Sequence, residues 1–237
     1  MKRAFTLLEL ILVIVVIGIL AAMIFPRLND DRLEKATLRF MEALRYTQHL
    51  AMVDDKYISD VSLSPYSGAN EKIKSVQQWF KGWWMIWVWK KNGQYVDSCK
   101  RSGPGVVVFS DTPSNNANYK YNLKPTITET AIDPQTGKRI AACISGNTGY
   151  VNDDYNFNKK FGVVKIKIIT PCVPRNLLAF DELGRPHCAY SLDNNSTTPY
   201  KNILKSQIKY KLCADSACTV YNAVCVEPET GFIHRCD

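Results

Sequence analysis

The chain has 237 residues, 46% of them hydrophobic and 22% charged, with 30 Lys and Arg against 22 Asp and Glu, a formal charge of +8. This length allows one sizeable core with an appendage, not two large domains, and the composition excludes wholesale disorder. The positive charge raises a nucleic-acid or anionic-surface partner as a hypothesis, although Lys2 and Arg3 at the extreme N-terminus supply two of the eight charges.

Residues 5–25, FTLLELILVIVVIGILAAMIF, form an apolar run with a single charge, Glu9. At about 1.5 Å per residue, a helix of this length spans a hydrocarbon core about 30 Å thick. Lys2 and Arg3 precede it, which by the positive-inside rule leaves the N-terminus cytoplasmic and the rest of the chain outside, a single-pass inner-membrane topology with a periplasmic head. A carboxylate within such a run is costly and marks function, unless Glu9, near the cytoplasmic end, only reaches back toward the headgroups. An ordinary signal peptide cleaved near Ala21 or Ala22 is the competing reading. Against it, the apolar stretch exceeds the usual hydrophobic region, contains Glu9 and runs into a further helical pattern.

The segment KRAFTLLELILVIVVIGILAAMIFP resembles the N-terminus of type IV prepilins and pseudopilins. The resemblance implies that prepilin peptidase cuts between Ala4 and Phe5 and that Phe5 becomes a methylated N-terminus. It also implies a helix softened at Gly18, a family proline at Pro26, and partners that include other pilin-like subunits and an inner-membrane assembly platform. The leader ends in Ala4 where the family usually has glycine, so a small residue is retained. In such proteins Glu9 would meet the N-terminal amine of a neighbouring subunit, because a buried carboxylate needs a cationic partner.

After Pro26, apolar residues at Leu33, Ala36, Phe40, Leu44 and Ala51 with charges between them predict an amphipathic continuation of the helix to about Val53, its stripe packed under a head. Pro26 predicts a kink, and Asn29, Asp30 and Asp31 a local break or N-cap. The domain reading is therefore 1–4 leader, 5–26 transmembrane and assembly helix, 27–53 amphipathic continuation, and 54–237 head.

Beyond residue 53, short apolar or alternating runs separated by Gly, Pro, Asn and Asp predict strands at 83–89, 105–110, 120–130, 139–145, 162–170, 176–180, 203–212, 219–227 and 231–234. The expected fold class is α+β: a type IV pilin-like fold with a long N-terminal helix packed on an antiparallel sheet. The tryptophan run from Gly82 to Trp89 with Lys91-Asn92-Gly93, the segment Phe180-Asp181-Glu182-Leu183-Gly184-Arg185-Pro186, and the closing Val226-Glu227-Pro228-Glu229-Thr230-Gly231-Phe232-Ile233 resemble the GspH/FimT group of minor pseudopilins. The chain departs from that group in its many cysteines and in a longer stretch over about 111–160.

All eight cysteines, Cys99, Cys143, Cys172, Cys188, Cys213, Cys218, Cys225 and Cys236, follow residue 98, which predicts a disulfide-bearing head in an oxidising compartment. Eight cysteines allow 105 pairings, and only Cys213 with Cys218 is suggested by proximity in the chain. A zinc site using His187-Cys188 and His234-Arg235-Cys236 is the rival reading, but the C-x-x-C pairs of a structural zinc site are absent.

Trp79, Trp83, Trp84, Trp87 and Trp89, near Lys81, Lys90 and Lys91, read either as a stacking platform for single-stranded nucleic acid or as core. The apolar character of both faces of 83–89 favours core. Lys201, Lys205, Lys209 and Lys211 read as a solvated strand face or as DNA contacts. The oxygen-rich stretch from Asn147 to Asn158 reads as a turn cluster, with calcium as the weaker alternative, and the segment around Asn195 as an exposed loop, with glycosylation of Asn195 as the alternative. No GxSxG, HExxH or P-loop motif is present, and His49, His187 and His234 form no recognisable catalytic set, so no enzyme is expected. The expected role is a minor pilin or pseudopilin subunit of a type II secretion or type IV pilus-like assembly, coupling helix-mediated polymerisation to macromolecular transport. A DNA-binding minor pilin of a competence system is the alternative.

Overall fold

The structure, a computed structural model, describes residues 7–56, 78–89, 103–112, 125–144, 152–172, 176–188 and 198–236; side chains at 21–30 are left out of the description. A single helix, α1 (Leu7–Val53), leads the chain. The break suggested by Asn29, Asp30 and Asp31 does not occur, since α1 is continuous through them. Pro26 removes one backbone donor, which weakens a helix locally without having to end it. From residue 33 onward α1 buries Leu33, Ala36, Phe40, Ala43, Leu44 and Ala51. Thr37 and Thr47 are buried on the same stripe because each hydroxyl donates to a carbonyl one turn back, those of Leu33 and Ala43, both at 2.7 Å.

Where one sheet was expected, there are two, both antiparallel. The first runs β2-β1-β4-β5, built from β1 (Trp84–Trp89), β2 (Gly105–Ser110), β4 (Leu177–Phe180) and β5 (Pro186–Cys188). The second runs β3-β6-β7-β8, from β3 (Lys165–Ile169), β6 (Ile208–Cys213), β7 (Tyr221–Val226) and β8 (Ile233–Cys236). α1 packs on both. Its stripe meets Ile86, Val88, Val106, Val108, Leu178 and Phe180 from the first, and Ile208, Tyr210, Leu212, Val224 and Val226 from the second. Phe40 is the central wedge. Its ring meets those of Tyr210 and Phe157 edge-on at 5.1 and 5.9 Å, and burying such a side chain contributes about 1.5–3 kcal/mol.

The first sheet is buried on both faces, which explains why β1 is apolar at every position. Away from α1, Met85, Val107, Phe109, Leu177 and Ala179 pack on Phe80 and Trp83 of the turn before β1, and on Ala141 and Ile144. The tryptophans are thus core or flank the core: Trp83 is buried, while Trp79, Trp84, Trp87 and Trp89 are half-buried against the two clusters. Lys81 is itself buried, its ammonium donating to Gln78 Oε1 at 2.9 Å. Lys90 and Lys91 lie outside the described residues.

Strands were expected at 120–130 and 139–145. Their described parts form only isolated bridges, Phe109 with Thr130, Ile132 with Arg139 and Val107 with Ala141. These segments cover the free edge of β2, taking up Val108 N–H with the Ile140 carbonyl and Val108 C=O with the Ala131 amide. An exposed edge strand invites foreign pairing, and an irregular cover removes that hazard. The cover is fastened to α1 by Asp133, which accepts from the Arg39 guanidinium, from Tyr155 Oη at 3.0 Å and from the Gln135 amide at 2.9 Å. Burial pushes the Asp133 carboxyl up, but these hydrogen bonds and the Arg39 charge outweigh it and hold the group below its ordinary value.

The described part of the oxygen-rich stretch holds a short helix, α2 (Phe157–Phe161), which was not expected. Asn156 caps its N-terminus by accepting from the Lys159 amide, and Gly162 at φ 74° ends it. Asn152 likewise accepts from the Asp154 amide, and Asp153 and Asp154 pair with Lys159 and Lys160 at 2.6 and 2.9 Å. These oxygens serve the local fold.

Three disulfides are described. Cys172–Cys188 joins the exit of β3 to β5 and so ties one sheet to the other, Cys213–Cys218 closes the β6–β7 turn, and Cys225–Cys236 links β7 to β8. Cys143 is also disulfide-bonded, and Cys99 lies outside the described residues. The zinc reading is overturned for Cys188 and Cys236, whose sulfurs are in disulfides. Among the described residues no group of three His, Cys, Asp or Glu side chains could hold a metal ion.

Candidate functional site

The first functional candidate is the N-terminal part of α1. Residues 7–20 are all exposed, including Leu7 at 77%, and no described part of the head covers them. A contiguous apolar surface of this kind marks contact with lipid or with other chains. Glu9 lies in its first turn. A Cβ added at Gly18 would meet nothing within 4 Å, so the chain's own packing does not require glycine there, although glycine inside a helix costs about 1 kcal/mol relative to alanine. Ala4 and Phe5 lie outside the described residues, as does Asn195, and the side chain of Pro26 is not described. Among the described residues no helix is long and apolar enough to cross a membrane, the described side chains of the apolar run stopping at residue 20, short of the full span of about 20 residues that a bilayer needs.

The second candidate is the outer face of the β3–β6 pair. Register sets Lys167 opposite Lys211, Ile169 opposite Lys209 and Lys165 opposite Cys213. Alternation turns Ile208, Tyr210 and Leu212 inward, leaving Lys209 and Lys211 on the other face. Lys201 and Lys205, grouped with them from sequence, are exposed but lie off the strand: Lys201 is in the turn Pro199–Asn202, and Lys205 precedes β6, which begins at Ile208 rather than 203. Lys165 and Lys167 were missed because they lie far from Lys209 in sequence and only the register brings them together.

The segments Asp181–Pro186 and Glu227–Ile233 meet at α1. Gln48 Nε2 donates to the Gly184 carbonyl at 2.8 Å and to that of Thr230 at 3.3 Å. Behind this contact Asp181, fully buried, accepts from Arg185 Nε and His187 Nε2 at 2.8 and 2.9 Å with one oxygen, and from the Leu183 and Arg185 amides with the other. Burial pushes the Asp181 carboxyl up, but its hydrogen bonds to His187 and Arg185 outweigh this and hold it below its ordinary value. Tyr200 donates to Glu182 Oε1 at 2.5 Å, and that bond, with burial second, pushes the phenol up to about 12. The hydrogen bonds of Asp181 and Tyr200 close within the fold, while His187 Nδ1 and Glu182 Oε2 are buried without a partner.

Near the C-terminus His234 Nε2 lies 2.7 Å from Glu227 Oε1, with its ring stacked on Phe232. The hydrogen bond to Glu227, followed by one to the Arg235 carbonyl, raises His234 above 6.5, while the bonds to His234 and Gln207 lower Glu227 below 4.5. A raised histidine stabilises fully below 6.5 and loses that contribution as pH rises through its folded value. A depressed glutamate stabilises above 4.5 and loses its contribution as pH falls through its own. The pair is therefore strongest between these limits. An NMR titration should place the His234 midpoint above 6.5 and Glu227→Gln should lower it; an unchanged midpoint would show the pair to be uncoupled.

Residues 1–25 match the family model described as the prokaryotic N-terminal methylation motif. The motif is the N-terminal signal of type IV pilin-like, prepilin-type proteins, and the match does not extend into the head. Neither a curated protein nor a solved structure matches the chain.

Proposed function

We propose that the chain is a minor pilin or pseudopilin of the GspH/FimT kind, with a type IV pilin-like fold. It is cut by prepilin peptidase between Ala4 and Phe5 and assembles with other pilin-like subunits on an inner-membrane platform. The supporting observation is the uncovered apolar stretch of α1 with Glu9 inside it, directly continuous with a helix face that the head does cover. Bilayer and neighbouring helices are its two solvents. In lipid a carboxylate costs about 2.5–3.5 kcal/mol or more, and the amine of Phe5 on an adjacent subunit would offset that cost, so Glu9 sets the axial register of a growing filament.

In this reading residues 5–26 span the inner membrane with the N-terminus cytoplasmic, 27–53 carry the helix into the periplasm, and 54–237 form the head, where the disulfides suit an oxidising compartment. The assembly drives type II secretion through a short periplasmic pseudopilus. Mass spectrometry of the membrane-extracted chain should find methylated Phe5 at the N-terminus; Met1 or residue 22 there would overturn the proposal. Competence is the second reading, and the specific observation in its favour is the lysine face of β3 and β6.

A further inference from the structure

We propose that Cys213–Cys218 is a thiol-exchange site, a disulfide that opens and recloses on the folded chain by reaction with a protein dithiol. The described disulfides differ in access. Cys172 and Cys188 are both buried, whereas Cys218 is half-exposed in the β6–β7 turn, between exposed Ser216 and Ala217 on one side and exposed Thr219 and Val220 on the other. Cys213 is fully buried, so Cys218 is the member of the pair that an incoming thiolate can reach. Two further features single this bond out. Its cysteines are 5 residues apart, against 11 for Cys225–Cys236 and 16 for Cys172–Cys188. Closing a shorter loop takes less entropy from the unfolded chain, and by linkage the bond that stabilises the fold least is the most easily reduced. Cys218 also sits at φ 64°, one of two non-glycine residues with positive φ among the described residues. An L side chain is disfavoured there, and opening the bond frees Cys218 to leave that conformation. Cys236 is half-buried too, but it lies in regular register opposite Ala223 in β8.

The turn holds without the bond, so exchange does not require unfolding. Asp215 accepts from the Val220 amide at 2.8 Å and from the Thr219 amide and hydroxyl at 3.0 and 2.9 Å. The Ala214 amide donates to the Val220 carbonyl at 2.9 Å, and Lys165 Nζ to the Ser216 carbonyl. The buried sulfur is provided for as well: Cys213 Sγ lies 3.4 Å from the Lys211 carbonyl, which accepts from the thiol once the bond is open. Lys165 stands directly across from Cys213, and cations beside a cysteine favour its thiolate. Val164 and Val220, exposed beside the pair, give a protein dithiol an apolar contact that a small thiol cannot use. A thiolate of the dithiol attacks Cys218 Sγ, the bond to Cys213 breaks, and Cys213 leaves with the electron pair and takes up a proton. The second thiolate of the dithiol then attacks its partner sulfur in the mixed disulfide and releases Cys218, which is protonated in turn. Two electrons and two protons pass to the chain, and the dithiol becomes a disulfide. An unassembled chain presents the same turn, so the site does not rest on filament assembly.

The test is a dithiothreitol titration of the full chain in neutral detergent micelles, with iodoacetamide trapping and peptide mass spectrometry. Cys213 and Cys218 should be alkylated at about tenfold less dithiothreitol than any other cysteine, while tryptophan fluorescence and circular dichroism stay native. Single variants identify the attacked sulfur. In Cys213→Ser, oxidised glutathione should add to Cys218; in Cys218→Ser it should add to Cys213 at least about tenfold more slowly. The proposal is overturned if another disulfide opens first, if the native signals are lost as this one opens, or if glutathione labels Cys213 and Cys218 equally.

Discussion

Asp181→Ala should lower the stability of the head by about 3–5 kcal/mol, the cost of removing the shared acceptor of a buried hydrogen-bond network. Four donors lose their acceptor at once: Arg185 Nε, His187 Nε2 and the amides of Leu183 and Arg185. They do not suffer equally. The Arg185 side chain is 30% exposed and can turn to water, whereas His187 is fully buried and its Nδ1 already lacks a partner. The imidazole would then be unsatisfied at both nitrogens, wedged against the Trp83 ring at 4.7 Å. Asp181→Asn keeps the shape and should recover part of the loss. The same carboxylate sets an acid limit. Its folded value lies below the ordinary 3.8, so its contribution is complete above 3.8 and falls away as pH drops through the folded value. Urea titrations of the detergent-solubilised chain, followed by tryptophan fluorescence, measure both effects. A change below 1 kcal/mol for Asp181→Ala would mean that the hairpin does not depend on this network.

What the sequence disclosed follows from how local each signal is. Leu33, Ala36, Phe40, Leu44 and Ala51 are buried as their spacing requires, and β1 and β2 fall where continuous apolar runs place them. β5 escaped notice because it is three residues long and begins with Pro186. α2 escaped because its first residues fall at the end of the stretch Asn147 to Asn158, weighed as a turn cluster or a source of oxygen ligands, although Asn156 followed six residues later by Gly162 is a capping pair. The division into two sheets could not be read at all, since hydrophobic alternation fixes which face of a strand is buried and says nothing about its neighbours. The same limit hid the lysine face. Lys167 and Lys211 are distant in sequence, while Lys201 and Lys205 are close to Lys209 and belong to other segments. The N-terminal run is the opposite case, because its length and its one carboxylate are both properties of a single helix.

Gly231→Ala should destabilise the head by about 3–4 kcal/mol, and Gly137→Ala by only about 1 kcal/mol, although both glycines are left-handed, at φ 65° and 66°. The backbone cost of placing an L side chain there is the same for both, so the difference isolates packing. At Gly137 a new Cβ would meet nothing within 4 Å. At Gly231 it would collide with the Gly184 carbonyl and lie 2.6 Å from Gln48 Nε2 and 3.3 Å from Phe180 Cε1. The first obstacle is backbone and cannot swing aside, and it is the oxygen that Gln48 bonds from α1. Relief would push the β7–β8 turn away from the β4–β5 turn and release Gln48 from both, loosening the contact by which the two sheets close over the end of the helix. Gln48→Ala in the Gly231→Ala background is the decisive comparison. If the collision acts by breaking this latch, the second change should add little to the first, and full additivity would show the two to be independent.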